Sequence, residues 1–215
     1  PGGAYRGGIA RWESVAVIPA PDQTHDQIWG VVSRTIDGAD VRCVEFMARD
    51  FDANGDDDIA DAFFVDCGLS YDDPKAITGA TRANPVVLTV AGHGYANGDL
   101  VDVSDVVGMT ALNGNRYTVA SAAADSFALA GVDGTGFAAY ASGGVARKAV
   151  TTVTGADHLD GAAVDVVADG VHLGTQTPSA GSITLAVPAS RVHAGFGYTT
   201  DVVTLPIAAR TPDGS

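Results

Sequence analysis

Short runs rich in Val, Ile, Thr, Tyr and Phe recur along this chain roughly every 8–12 residues, and Gly, Asn and Asp separate them. Helical periodicity is nearly absent. Short strands between frequent turns are typical of sandwiches and small barrels. The pattern therefore predicts an all-β protein, and 215 residues, 46% of them hydrophobic, are enough to bury a core.

The N-terminal third of the chain predicts four strands, at residues 12–19, 28–35, 40–48 and 62–66. Asp37-Gly38 separates the second strand from the third, where a two-residue turn with positive φ angles closes a hairpin. We expect these strands, together with strands that follow residue 149, to build a β-sandwich or a β-barrel.

The middle of the chain has a different pattern of strands and turns. Between Ile77 and Val145 the strands are shorter, and Asn-Gly or Asp-Gly pairs separate several of them. Such pairs supply the positive φ angles of tight turns, so this segment predicts a small barrel-like β-module. Longer strands resume after Ala149, with turns predicted at Asp169-Gly170 and at 179–181.

Junctions are predicted at residues 72–75 and 146–148, where charged residues and a proline interrupt the apolar pattern. The sequence therefore predicts two domains. One is a discontinuous β-domain of residues 1–75 plus 149–215, and the other is an inserted β-module of residues 76–148.

The charge of the chain limits its partners. Twelve basic residues face 26 acidic ones, and the net charge is -14, which disfavours attraction to nucleic acid or to an anionic membrane. Twelve of the 26 acidic residues lie between Asp37 and Asp73. We expect no membrane span, since no apolar run approaches about 20 residues, and the opening on Pro1 without a Met favours a fragment.

The densest acidic run, Asp50 to Asp61, has the spacing of a calcium loop, with Gly55 at the sixth position where such a loop bends. Two features oppose this interpretation: Asp57 takes a position that is usually apolar, and Asp61 is shorter than the usual Glu. A calcium site and a solvated turn between strands both stay open, and no other cofactor is expected. The candidate ligands are Asp50, Asp52, Asn54, Asp56, Asp58 and Asp61.

The remaining metal-binding and catalytic side chains favour structural roles. Cys43 and Cys67 lack the spacing of a zinc site or a redox pair and are interpreted as small apolar strand residues. Five histidines are scattered along the chain and are interpreted as turn or packing residues. They are His25, His93, His158, His172 and His193.

No catalytic residue is predicted, and we expect a protein that is not an enzyme. A Gly-x-Ser-x-Gly elbow is absent from the sequence, and carboxylate pairs are as frequent as so acidic a composition gives by chance. The aromatic residues could line a sugar-binding face, but their alternation with polar residues favours core or interface positions. They are Trp12, Trp29, Tyr71, Phe127, Phe137, Tyr140, Phe196 and Tyr198.

Five stretches of the middle module follow one another in a recognisable order: NPVVLTV, HGYANGDLVDVSDVVGM, LNGNRYTV, SFALAGVDGTGF and YASGG. In this order they resemble the first catalytic cysteine half-domain of ubiquitin-activating enzymes, in the form that recurs within phage tail proteins. The module contains no cysteine. The resemblance therefore implies the fold without ubiquitin chemistry.

Other stretches flank the module: VAVIPAPDQTHDQIWGVVSRTIDGADVRCVEFMARDF, AFFVDCGLSYDDP, VTTVTGADHLDGAAVDVVADGVH and ITLAVPASRVHAGFGYTTDVVTLPI. They resemble the tail nozzle, tail hub or DNA-stabilisation proteins of short-tailed phages. In that family GLSYDDP runs almost directly into VTTVTGADHLDG, which implies that the module is an insertion.

This second resemblance implies a structural component of the virion, located in the phage tail and assembled in the cytoplasm of the bacterial host. The implied partners are copies of the same chain in a ring of six, other tail or portal proteins, and DNA that passes through the channel without specific binding. Two alternatives stay open: a tail module that binds a receptor or carbohydrate, and a tail enzyme that degrades polysaccharide.

Overall fold

The computed structural model describes residues 10–21, 23–47 and 65–197. Within these ranges the regular secondary structure is β-strand, apart from two short 3-10 turns at Thr110–Leu112 and Asp157–Leu159. All strand pairs are antiparallel, so the predicted all-β fold is confirmed. The same ranges contain no helix with the length and hydropathy needed to cross a bilayer.

The strands form three sheets. The N-terminal sheet has the order β1-β2-β3, the C-terminal sheet has the order β13-β12-β15-β4, and the central sheet has the order β14-β11-β8-β9-β10-β7-β6, with β5 also paired to β11. The strands are β1 (Arg11–Pro19), β2 (Asp26–Ile36), β3 (Ala39–Phe46), β4 (Asp66–Asp72), β5 (Pro74–Ala76), β6 (Gly79–Ala80), β7 (Val87–Thr89), β8 (Leu100–Val107), β9 (Asn115–Ala120), β10 (Ser126–Leu129), β11 (Ser142–Thr154), β12 (Val164–Ala168), β13 (Val171–Gln176), β14 (Ser182–Ala189) and β15 (Arg191–Phe196).

None of these sheets, over the described residues, closes into a barrel. In the central sheet β8 pairs with β11, and β11 continues to β14, while β6 at the far end pairs with β7 alone. The two end strands of the central sheet, β14 and β6, do not pair with each other. The middle module, predicted to be barrel-like, is therefore observed as part of an open sheet, because its strands pair onward with β14 and do not close on themselves.

Local turn chemistry fixes the hairpins that the sequence predicts. Asp37 and Gly38 both have positive φ, 48° and 76°, and they join β2 to β3. Asp169 and Gly170, at 46° and 77°, join β12 to β13 in the same way. Two consecutive positive φ angles match the right-handed twist of paired strands, which explains why Asp-Gly occupies both sites.

Two strands differ from the prediction. The strand expected over 62–66 is observed as β4 and shares with it only Asp66, while residues 62–64 lie outside the described ranges. β15 was not predicted, because Ala194 and Gly195 weaken its strand pattern.

The buried apolar residues form two clusters. The first, the host core, combines residues that precede the middle module with residues that follow it: Ile36, Cys67, Val153, Ala156, Leu159, Ala162, Val164, Val166, Ala168, Ile183, Leu185, Ala189, Val192, Ala194 and Phe196. The second, the module core, consists of Ile77, Val86, Leu88, Val90, Tyr95, Val101, Val103, Val106, Met109, Leu112, Val119, Phe127, Leu129 and Ala146.

β11 connects the two cores, since it pairs with β8 through residues 142–149 and with β14 through residues 150–154. The junction predicted at 146–148 is therefore strand, and not a loop. Its charges lie on the sheet surface, where Arg147 contacts Asp72 at 2.9 Å and Lys148 contacts Asp99 at 2.7 Å. The division into residues 1–75 plus 149–215 and residues 76–148 stays a prediction.

Candidate functional site

The N-terminal sheet exposes a row of apolar side chains on the face that elsewhere meets the host core. Val17 lies opposite Ile28 on β2, and the N–H of Met47 donates to the Ile28 carbonyl at 2.9 Å. Residues directly opposite each other point to the same face of an antiparallel sheet. These three side chains, from β1, β2 and the end of β3, are 63%, 41% and 55% exposed.

Two more apolar side chains extend this row. Val15 lies opposite Gly30, and Trp12 lies opposite Val32. A Cβ atom at Gly30 would overlap the Trp12 ring, so the absence of a side chain there lets the indole lie flat on the sheet. Val15 and Trp12 are 60% and 44% exposed. We call Trp12, Val15, Val17, Ile28 and Met47 the apolar patch.

The apolar patch lies beside an open sheet edge. All nine residues of β1 are exposed, and among the described residues β1 pairs with β2 alone. Along its other edge no described strand pairs with the N–H and C=O groups, and groups of this kind can pair with a further strand. An exposed apolar face next to such an edge is typical of a surface that another polypeptide covers.

The opposite face of the N-terminal sheet carries an aromatic pair and an ion pair. The Trp29 and Phe46 rings are 5.1 Å apart, and Phe46 is 52% exposed. Arg42 donates to both carboxylate oxygens of Glu13, at 2.7 and 3.2 Å. Ile18 and Val44, 45% and 72% exposed, also lie on this second face, so exposed apolar side chains occur on both faces of the sheet.

Three side chains of the types that ligate metals lie near the boundary between the apolar patch and the host core. One ligand atom each from Cys43, Glu45 and Cys67 lies within 4.8 Å of the other two. The two thiols are 24 residues apart in sequence and come from different sheets, so no local spacing signals their approach. The interpretation of the cysteines as strand residues is confirmed, but their grouping was missed.

Arg34 holds the carboxylate of this group. Its Nε and NH2 groups donate to the two oxygens of Glu45, at 2.7 and 2.6 Å, and Asp66 lies 3.7 Å from NH1. Burial opposes the guanidinium charge, but the hydrogen bonds and charge of Glu45 raise the pKa of Arg34 above its ordinary value. Burial, together with the charge of Glu45, raises the pKa of Cys67 to about 12.

All six calcium ligands predicted from the sequence lie outside the described residues. The calcium site at Asp50, Asp52, Asn54, Asp56, Asp58 and Asp61 therefore stays a prediction, as does the solvated turn.

The histidines contact backbone and side chains in separate parts of the fold. His93 is buried in the module, and its Nδ1 accepts the backbone N–H of Tyr95 at 2.9 Å, which is the contact of a turn residue. His158 Nε2 lies 3.3 Å from the Cys67 carbonyl. His25 contacts Thr24, His172 lies 3.6 Å from Asp165, and His193 contacts Ser70 at 2.8 Å.

The Ser70–His193 contact joins a potential nucleophile to a potential base. The two residues are cross-strand partners in the pairing of β4 with β15. Polar cross-strand partners make such contacts in ordinary antiparallel sheets. The register of the sheet therefore explains the contact by itself.

The predicted aromatic positions divide between core and surface. Phe127 and Phe196 are buried in the two cores, and Tyr71, Phe137 and Tyr140 pack against them half-buried. Trp12 and Trp29 lie on opposite faces of the N-terminal sheet, and Tyr198 lies outside the described residues. The core positions are confirmed, and the seven rings that the structure describes do not gather on one face.

One segment of the chain matches a known protein family. Residues 83–149, which are 67 of the 215, match the family described as the ubiquitin-activating enzyme E1 FCCH domain. The matched segment contains β7 to β10 and the whole part of β11 that pairs with β8, residues 142–149. No curated protein matches the chain. The match describes the middle module, and this module is similar to that domain in sequence.

Proposed function

We propose that the protein is a structural component of a phage tail, a nozzle or hub protein that assembles with copies of itself around the DNA channel. The observation that carries this proposal is the apolar patch beside the open edge of β1. A surface that contacts a second copy needs both apolar area and backbone groups that can pair. The resemblance of the flanking stretches to short-tailed phage nozzle proteins supports a ring of six.

The energetics of the patch favour a protein partner over water. Full burial of a Val, Ile or Met side chain contributes about 1.5–3 kcal/mol. The four Val, Ile and Met residues of the patch and Trp12 are each about half exposed, so each contributes roughly half of that on association. Together with strand pairing along β1, this burial works against the entropy that association loses, about 4–15 kcal/mol. The patch carries no charged side chain, so the net charge of -14 opposes association only at longer range, where salt screens it.

The acidic composition supports a channel through which DNA slides. A wall of the same sign as phosphate makes few attractive contacts, so DNA is not retained during ejection. In this proposal the middle module projects from the ring as an attachment point for other tail parts or for the host surface. The protein would reside in the tail of the virion after assembly in the host cytoplasm.

Oligomerisation tests the proposal directly. Wild type is expected to form concentration-dependent oligomers in analytical ultracentrifugation, and Val17→Lys is expected to shift them to monomer because it places a charge in the patch. Val171→Lys is the matched control, since Val171 on β13 is 60% exposed against 63% for Val17. A wild type that stays monomeric at every concentration, or equal behaviour of the two variants, would refute self-assembly through this surface.

The aromatic pair Trp29–Phe46 favours a second candidate, a receptor- or carbohydrate-binding tail module. Aromatic rings that expose a face can stack on sugars, and Phe46 is 52% exposed. A glycan array with wild type and Phe46→Ala tests this function. Signals that the variant loses would support it, and an array without signals would exclude it for the glycans displayed.

A further inference from the structure

Cys43 and Glu45 point to the same face of β3, because residues two apart in a strand share a face. Cys67 reaches them from β4, which belongs to the C-terminal sheet. The three ligand atoms lie within 4.8 Å of one another. Two thiols and a carboxylate therefore converge where the N-terminal sheet meets the C-terminal sheet.

The backbone at Cys67 departs from regular strand geometry. Its φ is +54°, which residues other than Gly rarely adopt. In the pairing with β15, three residue steps on β4, from Asp66 to Leu69, oppose two steps on β15. This is a β-bulge, and bulges change the direction in which a side chain points. This strained conformation accompanies the approach of Cys67 to Cys43.

Arg34 orients the carboxylate without using up its lone pairs. Each carboxylate oxygen has two acceptor sites, so the Glu45 oxygens that accept from Arg34 can still bind a cation. Ligating carboxylates usually accept such supporting hydrogen bonds. Arg34 is 5% exposed and Glu45 is 18% exposed, so the pair is held in place with little water around it.

We propose that Cys43, Glu45 and Cys67 form a binding site for a thiophilic divalent cation of the Zn²⁺ type, which joins β3 to β4. Two sulfur donors select such cations over Ca²⁺ or Mg²⁺. In a tetrahedral zinc site two sulfurs at about 2.3 Å from the metal lie roughly 3.8 Å apart. The two sulfurs, at most 4.8 Å apart, therefore need to close by no more than about 1 Å.

The reaction balances in charge and protons. One Zn²⁺ replaces the two thiol protons, which leave to solvent, and Glu45 binds as the carboxylate. With both thiolates formed, Cys43, Cys67, Glu45 and Asp66 carry four negative charges against one positive charge on Arg34, and the cation brings the total from -3 to -1. The anionic groups thus outweigh the repulsion between Arg34 and the metal. A water molecule can complete the tetrahedron.

Titration of the chelator-treated, reduced full-length chain with Cd²⁺ in excess Ca²⁺ tests the site. The cadmium–thiolate charge-transfer band in the ultraviolet reports sulfur ligation alone, so cation binding to carboxylates elsewhere does not contribute. We expect saturation at one Cd²⁺ per chain. In Cys43→Ser/Cys67→Ser the band should be lost, and in Glu45→Gln the affinity should fall at least about tenfold.

Glu13→Gln is the matched control, because Glu13 is also held by two hydrogen bonds from an arginine on the N-terminal sheet. Its Cd²⁺ affinity should equal that of wild type. A second measurement needs no variant: Zn²⁺ should raise the melting temperature of wild type, and chelator should reverse the rise. The proposal is overturned if reduced wild type gives no thiolate band, or if Glu45→Gln and Glu13→Gln bind Cd²⁺ equally well.

Discussion

The middle module and the N-terminal sheet use similar strands with opposite results. In the module the alternating apolar residues of β8 are buried, and Phe127 on β10 is fully enclosed by rings that include His93 and Tyr95, with ring centroids 5.0 and 5.5 Å away. In the N-terminal sheet all nine residues of β1 are exposed. Both segments have the composition of strands, but only the module covers its own apolar side chains.

The difference shows what a strand pattern does and does not specify. A sheet is stable when one face packs against another layer. β2 meets this condition at one end only, where Val32 and Ile36 are buried, whereas Ile28 at its other end is 41% exposed. The module covers its own core, whereas among the described residues no second layer packs on the apolar patch.

Removal of a ring from the module core is expected to have the largest effect. Phe127→Ala should lower the free energy of unfolding by about 3–5 kcal/mol, because it leaves a cavity in a fully packed site. Phe46→Ala makes the same change on the N-terminal sheet, where the ring is 52% exposed and contacts Trp29. It should cost about 0.5–1.5 kcal/mol. Urea denaturation followed by fluorescence measures both, and equal losses would contradict the enclosed core.

Loss of the ion pairs that Arg116 makes with Asp102 and Asp169 should have the second largest effect on stability. Arg116 on β9 donates twice to Asp102, each at 2.7 Å, and also to Asp169 and to the Pro188 carbonyl in the host part of the chain. Arg116→Ala should lower the free energy of unfolding by about 1–3 kcal/mol, because it leaves half-buried charged partners unsatisfied.

Arg42→Ala provides the comparison for these ion pairs. Arg42 pairs with Glu13 but is 71% exposed, and exposed ion pairs contribute about 0–1 kcal/mol. Thermal denaturation of both variants at low and moderate ionic strength distinguishes them. If Arg42→Ala is as destabilising as Arg116→Ala, the Arg42–Glu13 pair contributes more to stability than its exposure to solvent indicates.

The sequence predicts those parts of the fold that local chemistry decides. Asp-Gly pairs favour the positive φ angles of two-residue hairpin turns, and Asp37-Gly38 and Asp169-Gly170 adopt them. The sequence alone therefore predicts these two turns. Arg147 and Lys148 were interpreted as a junction because charge usually marks a loop, but in β11 they lie on the sheet surface opposite acidic residues. The approach of Cys67 to Cys43 depends on packing between sheets and on a bulge, and neither has a local signature.

Acid should reduce the stability contributed by the Arg116–Asp102 ion pair more than that contributed by the exposed Arg42–Glu13 pair. Burial opposes ionisation of Asp102, but hydrogen bonds from Arg116 outweigh it and hold the pKa of Asp102 below its ordinary value of 3.8. A carboxyl whose pKa is lower in the folded state stabilises the fold fully above its unfolded pKa, and the contribution is lost as the pH falls through the folded value.

The stability difference between wild type and Asp102→Asn should therefore be constant from neutral pH to about pH 5, and it should shrink below the ordinary pKa. Glu13 also has a lowered pKa, through its hydrogen bond to Arg42, but it is exposed to solvent. Glu13→Gln should show a smaller change over the same pH range. Unfolding curves between about pH 2 and 7 measure both differences, because this range includes the pKa of an unfolded Asp side chain, about 3.9.

The smallest expected effect tests the exposure of the apolar patch itself. Val15→Thr replaces a methyl group by a hydroxyl on a side chain that is 60% exposed, so the free energy of unfolding of the dilute monomer should change by less than about 0.5 kcal/mol. The same substitution at Val103, which is 1% exposed in the module core, buries the hydroxyl and should cost about 1–3 kcal/mol. Chemical denaturation at low protein concentration separates these outcomes. A loss at Val15 as large as that at Val103 would mean that Val15 is already covered within one chain, and the patch would then be part of the interior and not a surface for a second copy.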